Sequence, residues 1–232
     1  VLGERPLDPR EALVGGRTEA FTLLPECLEQ GIYYDVCSLY PYVMHTCEMP
    51  TELYGRFRGN DVLRAQPPGH GLYMEGGDGK GLAFGLYRCV VAPPSCMRIP
   101  VLPIKVRGKL MFPLCGACAL RQDHTLTCTH AEHERWLVST WTSVELNEAL
   151  RRGYRVVLFY EAWLFHSSSD LFKSYVETFL RMKTASSGLK SVRQWLRARG
   201  LRTRAAHPTP ADCQAFCDEY NARYRLCPIT PE

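Results

Sequence analysis

Asp35-Val36-Cys37-Ser38-Leu39-Tyr40-Pro41 carries the sharpest chemical signal in this sequence. The segment has the form D-x-x-S-L-Y-P. Its acid is embedded in a short apolar run, residues 32–37, which predicts a strand. Five fixed positions coincide by chance in about one of three million windows. A strand-to-helix corner with a serine cap and a stiffening proline accounts for Ser38 and Pro41. It does not account for a carboxylate inside an apolar strand, where an unpaired charge is costly. Metal chemistry does. In nucleotidyl transfer, two divalent ions about 3.5–4 Å apart clamp the attacking and leaving oxygens. Their carboxylates must be rigid, and a strand end supplies rigidity. The N–H groups of the turn at Ser38 can hold triphosphate oxygens. The Tyr40 ring can pack beneath an incoming sugar and leave no room for a 2′-hydroxyl.

The second signal is Cys115-x2-Cys118-x9-Cys128-x-His130, with His124 and His133 nearby. Cys-x2-Cys fixes two thiolates on one tight turn, half of a tetrahedral zinc site, and Cys128 with His130 can close it. The competing reading is a loop of reduced thiols. The chain has eleven cysteines, an odd number, in a sequence long enough to build its own core, so a disulfide framework fits poorly. Other patterns fall away. Gly76–Gly81 lacks the Ser or Thr of a phosphate loop and precedes a strand. His166–Asp170 reads as a polar loop rather than a triad. His45 and His70 show no partners in the sequence.

These residues need elements to hold them. With 232 residues, 46% apolar and 22% charged, the chain can bury one large core or two small ones, which argues against wholesale disorder. Residues 40–45 read as a short helix, 56–81 as a loop or hairpin tip, and 85–91 as a strand. A short extended pair is expected around a Gly108-Lys109 turn. Thr142-x-x-Glu145 is a capping box that opens a helix, stopped at Gly153. Residues 154–165 form the longest expected strand. Leu171, Tyr175, Phe179 and Met182 recur at a helical period, and Thr209-Pro210 opens a last helix. From Lys183 to Arg204 the chain holds seven cations, Lys183, Lys190, Arg193, Arg197, Arg199, Arg202 and Arg204, and no acid. The net charge is +4, so the remainder is −3. Such a block is either a footprint for polyanions or a solvated linker. Arg193 and Arg197, four apart, share a helix face suited to phosphates. No apolar stretch is long enough for a membrane span.

The D-x-x-S-L-Y-P segment resembles motif A of the family B DNA polymerases. The wider pattern is similar to the protein-primed branch, and within it to the polymerases of Maverick/Polinton elements. Gly15-Gly16-Arg17-Thr18 precedes it as the family's Gly-Gly element does. Residues 85–94, 100–103, 108–115, 141–146 and 160–163 follow in the family's order, and 171–188 is similar to the stretch before motif B. The similarity spans most of residues 10–232. It implies that Asp35 is the catalytic carboxylate and binds magnesium, and that Ser38, Leu39 and Tyr40 form the nucleotide site with Tyr40 as sugar gate. It implies that Gly15 and Gly16 approach template DNA while Arg17 reaches a phosphate. The implied substrates are deoxynucleoside triphosphates on a template-primer, with a terminal priming protein as a further partner.

Departures shape the expectation. Leu13 stands where the family usually has an aromatic, and Cys37 replaces a more usual polar residue. The lysine-bearing helix of motif B, the D-x-D strand of motif C and the exonuclease carboxylates are not found. We therefore expect an α+β palm fragment, inactive by itself. It comprises a pre-palm segment (1–31), palm strand and motif A (32–48), a zinc-stapled insertion (49–165) and a helical approach to the fingers (166–232). The basic run supplies DNA contacts at Lys183, Lys190, Arg193, Arg197 and Arg199. An intracellular location is expected, with the nucleus left open. Two rivals stand beside this reading: a non-catalytic zinc-stapled module that binds nucleic acid or a protein partner, and a decayed relic of such an element.

Overall fold

A computed structural model describes residues 5–20, 32–72, 80–122 and 127–223. In chain order its elements are α1 (Pro9–Ala12), α2 (Leu39–Thr46), β1 (Met49–Arg58), α3 (Asp61–Arg64), β2 (Gly85–Ala92), β3 (Ile104–Val106), β4 (Lys109–Met111), α4 (Gly116–Arg121) and α5 (Glu132–Arg135). There follow β5 (Leu137–Thr142), α6 (Ser143–Arg151), β6 (Arg155–Ser168), α7 (Lys173–Ser186), α8 (Leu189–Ala198), α9 (Arg202–Ala206) and α10 (Pro210–Arg223). The chain divides into two compact units, 1–31 with 50–167, and 32–49 with 168–232. The fold class is α+β, as the sequence predicts.

The first unit is built on a four-stranded sheet in the order β1-β6-β2-β5. β2 pairs antiparallel with both β5 and β6, which makes it, with β6, an interior strand. Its residues Tyr87, Cys89 and Val91 are fully buried, and a strand enclosed on both faces explains its near-continuous apolar run. Trp141 of β5 is buried and donates its indole N–H to the Pro103 carbonyl at 2.8 Å, tying the chain before β3 to the sheet. α6 opens on the predicted capping box, the Thr142 hydroxyl accepting the Glu145 N–H while the Glu145 carboxylate accepts the Thr142 N–H. The N-terminal segment docks on the sheet through two acids. Glu161 accepts the Leu7 N–H at 3.1 Å, and Glu11 meets Arg88 at 3.1 Å and the Thr140 hydroxyl at 3.3 Å. β3 and β4 form a two-stranded hairpin in which Val106 pairs with Lys109. Its turn is therefore Arg107-Gly108, one residue earlier than the spacing suggests.

The second unit is helical. α2 packs on α7. The remaining helices close a small core of Val192, Leu196, Ala205, Phe216 and Cys217, flanked by Trp195, Cys213 and Tyr220. Asp212 is buried and accepts both the Thr209 N–H and hydroxyl, at 2.9 and 2.8 Å, while pairing with Arg204. It fastens the α10 start to α9. Tyr224 lies outside the described residues.

Two expectations are corrected here. Residues 32–36 have no strand pairing, and every residue from Ile32 to Tyr40 is exposed, Asp35 included. A strand needs a neighbour for its N–H and C=O groups, and no described segment pairs with this one. Residues 56–81, expected as a loop or hairpin tip, begin with the end of β1 and hold α3. The helical period on α7 is present, with Tyr175, Phe179 and Met182 54%, 56% and 58% exposed.

Candidate active-site motif and candidate metal centre

Motif residues Asp35 to Pro41 run from an extended segment through a turn into α2. Ser38 occupies the N-cap position, yet its hydroxyl does not cap the helix. Its backbone is left-handed (φ +56°, ψ +36°), which turns the side chain away from the first-turn N–H groups. The Ser38 carbonyl instead accepts the Tyr42 N–H at 3.0 Å. Left-handed backbone in a residue with a Cβ is strained, and such strain collects at functional sites. Leu39 and Tyr40 follow on the first turn of α2, with Tyr40 82% exposed. The far end of α2 is held by His45, whose Nε2 lies 3.1 Å from a Glu177 carboxylate oxygen on α7, a partner the sequence does not reveal. Asp35 offers a single carboxylate. No cluster of three or more metal-ligating residues includes it among the described residues.

In the first unit, Gly15 and Gly16 are exposed, and a Cβ added at either would meet nothing within 4 Å. The chain's own packing gives no reason for glycine there. Arg17 is turned inward: it pairs with Glu19, donates to the Pro100 carbonyl and lies over the Phe112 ring at 4.5 Å. This is not the free phosphate-seeking arginine of the sequence reading, because a backbone carbonyl and an aromatic face already occupy its guanidinium.

The basic run separates into used and unused charge. Arg199 stacks on Trp195 at 4.2 Å and pairs with Glu219 of α10, and Arg204 pairs with Asp212. Both are structural. Lys190, Arg193 and Arg197 stand on one exposed face of α8, opposite buried Val192 and Leu196. These three, with Lys183 and Arg202, have no partner among the described residues.

The predicted zinc ligands come together. Ligand atoms of Cys115, Cys118, Cys128 and His130 all lie within 4.8 Å of one another. His130 Nδ1 is 3.6, 3.3 and 3.5 Å from the three sulfurs in that order, and Cys118 Sγ is 3.6 Å from Cys128 Sγ. Arms of about 2.3 Å to sulfur and 2.0–2.1 Å to nitrogen give a tetrahedron with edges of roughly 3.5–3.8 Å, so the cage has the size zinc needs. Local sequence explains the assembly. Cys115 caps α4, its sulfur accepting the Cys118 N–H at 3.4 Å. Gly116 lets that turn press on the neighbouring backbone, since a Cβ there would sit 2.4 Å from the Trp136 carbonyl. The His130 backbone N–H, then its ring, pulls the Cys128 thiol down to about 7. Burial and the neighbouring thiols push Cys118 up to about 12, the crowding that a cation relieves. Arg121 lies 3.0 Å from His130 Nε2 and 3.8 Å from Glu134, an approach with no signal in the spacing. His124 lies outside the described residues.

Residues 8–194 match the family DNA polymerase type B, organellar and viral. That is most of the chain, which belongs to this family. Its members are nucleotidyltransferases that use a DNA template, nucleotide substrates and divalent metal. No curated protein and no solved structure matches the chain.

Proposed function

We propose that this chain is the motif A region of a protein-primed type B DNA polymerase from a Maverick/Polinton-like element. The observation that carries the proposal is the coincidence of the family match with the exposed Asp35–Tyr40 turn. Asp35 binds magnesium, which when bound would stabilise charge on the transferring phosphoryl group. The turn at Ser38 and the first residue of α2, Leu39, line the triphosphate and base side of the site, and Tyr40 stands against the sugar as a steric gate. Gly15 and Gly16, open to solvent, admit a close approach of template DNA. Lys183, Lys190, Arg193 and Arg197 add phosphate contacts, while Arg199 is withdrawn from that role. Residues 49–165 form the insertion that meets DNA and the terminal priming protein.

The test uses a longer chain that carries a second catalytic carboxylate and a motif B lysine. There, Asp35→Ala is expected to abolish primer extension, and Tyr40→Ala to admit ribonucleotides. Unchanged extension in the first variant would refute the catalytic assignment, and unchanged sugar discrimination in the second would remove Tyr40 as gate. The 232-residue chain by itself is expected not to extend a primer, because one carboxylate does not fix two metals.

A further inference from the structure

We propose that the tip of the β3–β4 hairpin is a contact for the sugar–phosphate backbone of a nucleic acid, an inference that rests on the polymerase reading above. Arg107 and Gly108 form its two-residue turn, and both have positive φ, +50° and +80°. A turn of this kind favours Asn, Asp or Gly at its first position. Any other residue held left-handed costs about 1–2 kcal/mol, and arginine lacks the short polar side chain that offsets this in Asn and Asp. The fold gains nothing in return. Arg107 is exposed, and no hydrogen bond, ion pair or ring contact engages it among the described residues. Lys105 and Lys109 are exposed and equally without partners there. Five successive residues thus present three cations and no acid on a strained turn, and strain retained without a packing return points to a ligand.

The surroundings point to a polynucleotide. Leu110 and Phe112, on one flank of the hairpin, share a concavity of about 440 Å³ with Gly16, one of the glycines left open to solvent, and with Glu19, whose charge is met by Arg17. On the other flank, Lys105 lines a hollow of about 500 Å³ with Arg10, another exposed cation without a side-chain partner among the described residues, and with Glu11, whose charge is met by Arg5 and Arg88. The hairpin therefore continues the Gly-Gly surface into a cationic strip. A two-stranded ribbon is narrow enough to enter a nucleic-acid groove.

The experiment is fluorescence anisotropy of a labelled primer-template oligonucleotide with the purified 232-residue chain across a salt series. The variants are Arg107→Asn, which keeps a residue tolerant of the turn, and the double substitution Lys105→Ala/Lys109→Ala. Each lost contact is expected to weaken binding about three- to tenfold at low salt and to lower the log–log salt slope by about one unit or less. Arg107→Asn is expected to melt at or above the wild-type temperature, which separates a lost contact from lost folding. Wild-type affinity and slope in both variants would overturn the proposal. So would a wild-type chain that binds polyglutamate but not the oligonucleotide. The assay involves no turnover, so its failure leaves the extension test of Asp35 standing, and the converse holds.

Discussion

Ser38 links the carboxylate of Asp35 to the ring of Tyr40 through a left-handed backbone, and that conformation can be tested directly. Ser38→Gly is expected to hold or raise stability in urea denaturation. Ser38→Val, β-branched and intolerant of positive φ, is expected to cost about 1–3 kcal/mol. At the metal centre the expectation concerns protons. Elemental analysis of the reduced protein should give about one equivalent of zinc, and Cys118→Ser should lose it. Ligand thiols must ionise to bind. The Cys128 thiol sits near 7, so zinc affinity is expected to fall as pH drops through that value and below, measured by competition with a chromophoric chelator. The Cys/His cluster was readable from sequence because it is a short-range pattern. The conformation of Ser38 and the approach of Arg121 to His130 were not, since turn geometry and chain closure decide them.

Among the elements, α8 separates charge left exposed from charge that builds. Arg197→Ala is expected to lower the salt slope of DNA binding by about one unit or less. Arg199→Ala should leave the slope alone and instead loosen α8 from α10, seen as faster amide exchange at Leu196, because its guanidinium is spent on Trp195 and Glu219. Sequence shows seven cations, and only tertiary pairing removes two of them. α6, β6 and α10 were legible because capping boxes and long apolar runs are strong local signals. β1 was missed because it is an edge strand whose first half holds five successive exposed residues, with alternation confined to residues 54–58. The strand expected at residues 32–37 failed for the opposite reason, an apolar pattern without a described partner. A pH expectation belongs to β6. Burial works to raise the Glu161 carboxyl, but the Trp163 indole N–H, the Leu7 N–H and Arg58 together hold it below the usual carboxylate range. Its stabilising contribution is therefore present above the unfolded value near 4.3 and is lost as pH falls through the lower folded one. Urea midpoints measured from pH 6 to pH 3 should drop more for the wild type than for Glu161→Gln.

Over the whole molecule, the two units should answer separately to chelation. The Cys/His cluster lies wholly in the first unit, so metal removal is expected to speed amide exchange around Ala119 and Leu137 while leaving Val192 and Phe216 unchanged. The discontinuous second unit has a kinetic consequence. Its α2 and α7 are separated in sequence by the intervening residues 50–167, and joining the ends of a flexible loop of about 120 residues costs roughly 4 kcal/mol of chain entropy. β1 and β6, the strands that enter and leave that stretch, are neighbours in the sheet, and the Gly59 N–H meets the Tyr160 carbonyl at 3.1 Å. Once the sheet forms, most of the closure cost has already been met. Refolding should thus be ordered, with the late-synthesised α7 finding α2 only after the inserted sheet has assembled. A core substitution in the sheet, Trp141→Ala, is expected to delay protection of α2 and α7 in pulse-labelled exchange, whereas loosening α7 should leave the sheet's own folding rate untouched.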